Sequence, residues 1–419
     1  MIERNVRRKP VRRAVALLLG ALVAAGGAVG WQAAVSGQAP QAAPAAAAKG
    51  RAWMQLAPVP PMGWNSWNRF HCDVSEQLIK ETADTIAANG MREAGYEYVV
   101  IDDCWQVARD AVGTIVADSK RFPSGMKALS DYVHSKGLKF GLYSDAGSKT
   151  CQGRPGSNGY EVEDARQYAA WGVDYLKYDW CNTDGVDPKV AYTTMRDALR
   201  ASGRPIVFSM CEWGKSHPST WARGVAHLWR TTDDILPCWQ CTTEWGGLGW
   251  PAILDLQVGL EKYAGPGGWN DPDMLQVGNE GLTVPENRAH FSLWAMLAAP
   301  LMAGNDLRNM SPEIRDILLN REVIAVDQDP LGVQARKVRD SGDLEIWVKK
   351  LSNDAQAVVL FNRSKAEQAM AVSWVELGLP HDASPLVRDL WAKKDLGRVA
   401  GSLATRVGPH DVVMLVVKP

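Results

Sequence analysis

Seven times between residues 96 and 306 a short apolar run ends in charge. The runs are YEYVVIDDCW with Asp102 and Asp103, LKFGLYSD with Asp145, YLKYDW with Lys177 and Asp179, and PIVFSMCEW with Glu212. AHLWRTTDD follows with Arg230 and Asp234, then WNDPDML with Asp271 and Asp273, and PLMAGND with Asp306. An eighth run, MGWNSW at 62–67, precedes them and ends in polar and aromatic groups. Helix-like segments fall between the runs, at Ser75–Ala94, Gly125–Lys136, Glu161–Trp171, Pro188–Ser202 and Pro285–Met296. Strand-like and helix-like segments in alternation specify parallel βαβ units. A closed eight-stranded parallel barrel brings every strand C-terminus to one face, where its active site lies. An open doubly wound sheet also binds ligands at strand ends, but it carries a Gly-rich phosphate loop after its first strand. GWNSW is not such a loop, so a (β/α)8 barrel is expected over residues 55–331. Beyond it the texture changes to short alternating runs separated by turn residues: Leu344–Val348, Ala357–Phe361, Ala369–Val372, Leu386–Leu390 and Val412–Val417. Residues 332–419 are therefore expected to form an antiparallel β-sandwich that packs on the barrel.

The YLKYDW run places Lys177 and Asp179 at i and i+2, on one face of a strand. A buried lysine and carboxylate are costly unless they are paired or used. The simplest alternative is an ion pair that closes the strand. Two carboxylates from different strands facing one cavity can cleave a glycosidic bond, one attacking or activating water and the other protonating the leaving oxygen. Asp179 suits the nucleophile, since Lys177 beside it is expected to lower its pKa. Asp234, two strands on, suits the acid/base. If its strand runs through, Asp233 and Asp234 face opposite ways, and their adjacency is expected to raise the pKa of the less solvated one.

Lys and Arg total 46 and Asp and Glu 47, so charge does not point to nucleic acid or an anionic membrane. Several of the 18 tryptophans fall at strand ends, where an indole offers a flat wall to a sugar. Basic residues Arg4, Arg7, Arg8, Lys9, Arg12 and Arg13 precede an uncharged run from Ala14 to Gly30. Residues 1–36 thus read as an export signal, with a retained membrane anchor as the alternative, and 37–54 as an Ala/Pro-rich linker. A secreted or extracytoplasmic location is expected. In that setting the seven cysteines point to disulfides, and the odd number leaves at least one thiol free or intermolecular. A zinc site is disfavoured, because Cys238–Cys241 has no second pair at ligand spacing.

The blocks MGWNSW, IDDCW, LYSDAG, WGVDYLKYDWCN, CEWG, WRTTDDI, GPGGWNDPDML and PLMAGNDLR occur in an order that resembles glycoside hydrolase family 27. The likeness covers roughly residues 55–400 and is closest to α-galactosidases (melibiases) of plant and bacterial type. It implies a barrel followed by a C-terminal β domain, a carbohydrate partner, and a retaining mechanism without metal or cofactor. It also implies Asp179 as nucleophile and Asp234 as acid/base. Asp102 and Asp103 correspond to the pair at galactose O4 and O6, and Lys177 to the lysine near O3 and O4. Glu212 and Arg230 correspond to groups around O2 and O3, Trp64 to the aromatic wall, and Met274 to a pocket-lining residue. Cys72–Cys104 and Cys151–Cys181 match family disulfides, the second beside the site. A Cys238–Cys241 disulfide, Trp180 after the nucleophile and Asp233 before the acid/base depart from the plant pattern. Trp180 is expected to pack rather than shape the rim.

Within the enzyme class the rival is β-L-arabinopyranosidase, whose sugar lacks the CH2OH of galactose. Asp102 and Asp103 favour galactose, because a site built to bond a hydroxyl rejects a ligand without it. Glu212 and Trp213 fill the block where an α-N-acetylgalactosaminidase needs small residues. A non-catalytic galactoside-binding protein is the reading from another class, and the presence of both aspartates argues against it.

Overall fold

The computed structural model describes residues 52–419; the export segment and residues 37–51 of the linker lie outside the described residues. The last linker residues are already part of the fold. Trp53 is buried against the ring of His227, with centroids 4.4 Å apart, and its carbonyl accepts from His227 Nε2 at 2.8 Å.

Eight parallel strands form the barrel: β1 (Met62–Asn65), β2 (Tyr98–Ile101), β3 (Lys139–Asp145), β4 (Tyr175–Asp179), β5 (Val207–Met210), β6 (Leu228–Arg230), β7 (Trp269–Asp271) and β8 (Leu301–Ala303). Their order around the sheet is β7-β6-β5-β4-β3-β2-β1-β8, and a parallel bridge between Leu275 and Ala303 joins the two ends. All eight expected strands are present, but most are shorter at their C-terminal ends than their apolar runs. Backbone that carries charge toward a cavity leaves the hydrogen-bonded ladder early.

Several crossover helices have a local reason to begin. In α1 (Glu76–Ala88) the Ser75 hydroxyl accepts from Leu78 N, and in α4 (Pro188–Ala201) Asp187 caps a helix with proline in its first turn. Helices α2 (Gly125–Ser135) and α3 (Glu161–Trp171) match the expected spans closely. The expected helix over 75–94 instead breaks at Asn89-Gly90, where Gly90 adopts φ +94°, and resumes for one turn at Met91–Ala94. A shorter helix, α5 (Trp250–Asp255), precedes the long α6 (Val284–Leu297), which a Thr283/Glu286 capping box opens. From Ala289 to Leu297 every residue of α6 is buried. A helix enclosed all round is one with packing partners on both sides. Here they are the barrel and the C-terminal domain, together with α7 (Pro312–Leu318) and α8 (Arg321–Asp327).

The C-terminal domain has eight strands: β9 (Arg336–Ser341), β10 (Leu344–Lys350), β11 (Gln356–Asn362), β12 (Gln368–Ser373), β13 (Leu386–Asp389), β14 (Lys394–Arg398), β15 (Ser402–Val407) and β16 (Asp411–Lys418). Six form one antiparallel sheet in the order β9-β10-β11-β16-β13-β14, and β12 pairs with β15. The expectation lacked β9, β14 and β15. β9 and β14 are charged strands at the sheet's edges, where one row of backbone groups faces no partner and polar side chains suppress further pairing, and β15 pairs with β12 alone. The domain is fastened to the barrel side by Arg363–Asp255 at 2.6 Å, Arg388–Glu322 at 2.6 Å and the ion pair Arg288–Asp411. Buried Lys349 also donates to the Ala295 carbonyl of α6 at 3.0 Å.

Candidate active site

A cavity of about 670 Å³ opens at the C-terminal ends of the barrel strands. Its floor is charged. From β2 come Asp102 and Asp103, from β4 Lys177 and Asp179, from β6 Arg230, and from the loop after β7 Asp273.

Asp102 Oδ2 accepts from Lys177 Nζ at 2.9 Å and from Asn65 Nδ2 at 2.7 Å. Asp103 accepts from the amides of Gln152 at 3.0 Å and Cys104 at 2.7 Å. Lysine and carboxylate are thus matched across strands, Lys177 with Asp102, rather than within β4. Asp179 is held by the Tyr143 hydroxyl at 3.0 Å and the Trp180 amide at 3.0 Å. Burial pushes its pKa up to about 6, against the opposing pull of Lys177. The expectation of a lowered value is therefore corrected: desolvation of an enclosed carboxylate outweighs a lysine already committed to Asp102. Behind it lies Asp145, whose oxygens accept from the amides of Gly147 and Cys181. Burial and, after it, the charge of Asp179 push Asp145 up to about 9, so the two carboxyls titrate as a pair.

The other half of the floor turns on one guanidinium. Arg230 Nη2 lies 2.9 Å from Asp234 Oδ1 and 2.9 Å from Asp273 Oδ2. Burial alone would raise the Asp234 pKa, but Arg230 and Lys177 outweigh it and hold the carboxyl below its ordinary range. This corrects the expectation that Asp233 would raise it. The opposite-face expectation fails for the same stretch, because β6 ends at Arg230 and the turn after it brings both Asp233 and Asp234 to the cavity. Asp273 adopts φ +80°, unusual without glycine. Its carboxylate spans the amides of Met274 at 2.7 Å and Ile235 at 2.9 Å, which hold that backbone in place.

Trp213, Met274, Cys151 and Cys181 line the cavity, but Trp64 and Glu212 do not. Trp64 is fully buried, its indole donating to the Asn305 carbonyl at 2.8 Å. Glu212 turns to the loop after β5 and accepts from Ser216 N at 2.7 Å. Both corrections arise because the chain bends at the end of the strand, so that the next aromatic, Trp67 or Trp213, reaches the cavity instead. Trp180 stacks on Tyr192 with centroids 5.4 Å apart and packs away from the cavity. Asp273, one of the expected strand-end charges, also lines the site, as do Tyr143, Trp67, His71, Gln152, Lys215 and Trp245, none of which has a role assigned from sequence. Tyr143 and Asp273 lay within the charge-ending runs; the loop residues carried no local signal.

The structure pairs Cys72 with Cys104, Cys151 with Cys181 and Cys238 with Cys241, and leaves Cys211 a buried thiol. The Cys151–Cys181 link closes a segment 30 residues long at the cavity wall. Replacing both cysteines by serine is expected to lower unfolding stability by about 3–4 kcal/mol through chain entropy, measurable by denaturant titration. Asp145 stands beside these two sulfurs, but a disulfide offers no thiolate to a metal.

Residues 59–329 match the family model described as alpha galactosidase A, and 341–417 match the alpha galactosidase C-terminal beta sandwich domain. The chain belongs to the α-galactosidase A, or melibiase, family. The alpha-galactosidase A of Cellvibrio japonicus is 52% identical over 378 residues, covering 87% of this chain and 93% of the relative. The solved alpha-galactosidase I of Mortierella vinacea superposes with a TM-score of 0.84 at 39% identity, over 86% of this chain and 97% of that one. The Saccharomyces cerevisiae alpha-galactosidase structure with raffinose gives 0.83 at 32% identity, over 88% of this chain and 99% of that one. The melibiase fold thus spans the described barrel and the β domain of this chain.

Proposed function

We propose that this chain is a retaining, exo-acting α-galactosidase in which Asp179 is the nucleophile and Asp234 the acid/base. The observation that carries the assignment is that two carboxylates with different surroundings face one cavity. Asp179 is fixed by two neutral donors, the Tyr143 hydroxyl and the Trp180 amide, and Asp234 by a charged one, the buried Arg230 that it shares with Asp273. A nucleophile needs a fixed direction of attack, whereas an acid/base must gain and lose a proton.

Asp179 attacks the anomeric carbon through an oxocarbenium-like transition state while Asp234 protonates the leaving oxygen. Asp234 then activates water, which releases the sugar with its configuration retained. A separation of about 5–5.5 Å between the carboxyls is expected for this course. Arg230 bonds only Oδ1 of Asp234, which leaves Oδ2 to carry the proton, and Asp273 shares the guanidinium charge. The Asp102, Asp103 and Lys177 cluster supplies acceptors and a donor for galactose hydroxyls. With Glu212 turned away, Arg230 and Trp213 are the groups proposed for the O2 and O3 side. The substrate is a carbohydrate, and raffinose-type oligosaccharides or galactomannan branches are the proposed forms. Secretion after removal of the N-terminal segment completes the proposal.

Hydrolysis of p-nitrophenyl α-D-galactopyranoside against the matched β-L-arabinopyranoside tests the assignment. A preference for the galactoside of at least tenfold in kcat/KM is expected, because loss of the CH2OH leaves buried acceptors unpaired. Preference for the arabinoside would keep the mechanism and overturn the specificity.

A further inference from the structure

The cavity has two chemically distinct levels. The charged floor carries the groups described above, and the mouth is aromatic, walled by Trp67, Trp213 and Trp245. Trp245 stands apart from the others. It is 62% exposed, and among the described residues Tyr160, at 39%, is the only other aromatic among the exposed large hydrophobic side chains. A large apolar ring left in water at the edge of a polar pocket marks a binding surface.

The loop that carries it, 237–249, is built to hold the ring in place. Cys238–Cys241 staples its start, and Leu248–Gly249 pairs with Ile235–Leu236 at its base. Between them the Thr243 amide donates to the Gly247 carbonyl at 3.0 Å, and the Gly247 amide to Thr243 Oγ1 at 2.8 Å. The indole lies over Gly247, where an added Cβ would stand 2.5 Å from its edge. Gly246, at φ +105°, brings the loop against Asp233, beside the proposed acid/base. A ring held on this loop, at the mouth and next to the group that protonates the leaving oxygen, faces the position of the leaving group rather than that of the galactose.

We propose that Trp245 is the stacking platform of an aglycone subsite, taking the pyranose or furanose ring bonded to the galactose. This rests on the galactosidase reading of the floor. A sugar ring offers an apolar C–H face to an indole and keeps its hydroxyls in water, which suits a platform that is half open. The cavity, at about 670 Å³, lies in the range that encloses ligands larger than one sugar. The substrate class is therefore an α-galactosylated oligosaccharide or branch.

The test compares α-D-galactopyranosyl fluoride, whose leaving group is a single atom, with raffinose on native enzyme, Trp245→Ala and Trp245→Phe. The expected result for Trp245→Ala is kcat/KM within about twofold of native on the fluoride and about tenfold lower on raffinose, a loss that Phe largely restores. Equal losses on both substrates would assign Trp245 a purely structural role and overturn the proposal. An unchanged raffinose rate would also overturn it. Native enzyme inactive on the fluoride would sink the galactosidase reading itself, a failure distinct from either.

Discussion

Asp179→Asn is expected to abolish turnover and, at neutral pH, to make the protein more stable. Loss of a covalent nucleophile lowers kcat by roughly 10⁴-fold or more, because the residual binding and electrostatic groups cannot supply the bond. The stability gain has a separate origin. Asp179 is buried at the cavity floor, and burial moves its pKa from 3.8 to about 6. A carboxyl raised in the folded state keeps a proton that the unfolded chain has already lost. Stability therefore falls as pH rises through the window from about 4 to about 6, and the penalty is complete above it. A shift of that size corresponds to about 3 kcal/mol. Asn retains one acceptor for the Trp180 amide or the Tyr143 hydroxyl, so the net gain at pH 7 is expected to be about 1–2 kcal/mol. Below pH 4 it should vanish. Thermal melts of native and variant enzyme at pH 3.5 and 7 measure this directly. A variant with full activity would remove Asp179 from the chemistry, and one less stable at pH 7 would show that its hydrogen bonds outweigh its desolvation.

The second large effect is expected at Asp234, and it depends on the leaving group. Asp234→Ala is expected to lower kcat/KM on raffinose by roughly 10²–10⁴-fold, the range of general acid catalysis. On galactosyl fluoride the first step needs no proton, so the loss moves to the release of the covalent intermediate. Azide, which needs no general base, should then restore turnover and give α-D-galactosyl azide with retained configuration. Asp233→Asn is the control. It lines the same cavity, yet Arg230 pairs with Asp234 and not with it, so a loss under tenfold is expected. If the control variant showed the large loss and the azide rescue instead, the acid/base would be Asp233. Arg230 is expected to shape the pH profile, since it holds the Asp234 carboxyl below its ordinary range.

Much of the architecture was legible in the chain because it depends on local patterning. Short apolar runs alternate with helix-like segments, and every barrel strand appears where such a run lies. The same patterning placed Asp102, Asp103, Lys177, Asp179 and Asp234 at strand ends, and all five reach one cavity. The C-terminal edge strands were not legible, since β14 is exposed along its whole length and carries no period that burial would impose. Loop-borne Gln152 and Trp245 were invisible for a related reason: a loop residue's place depends on partners far away in sequence.

Sequence by itself determined which residues could carry charge into a cavity, because strand period and position at a run's end are properties of neighbours one to four residues apart. Tertiary structure alone decided how those charges divide. Lys177 pairs with Asp102, 75 positions away, and not with Asp179, two positions away. Arg230 divides between Asp234 and Asp273, while Asp179 is left to neutral donors and burial. The Lys177–Asp102 and Arg230–Asp273 pairings follow from barrel closure, which sets side chains from segments distant in sequence within 3 Å of one another. They reversed the pKa order that adjacency alone suggested, because desolvation and pairing depend on what surrounds a group in space.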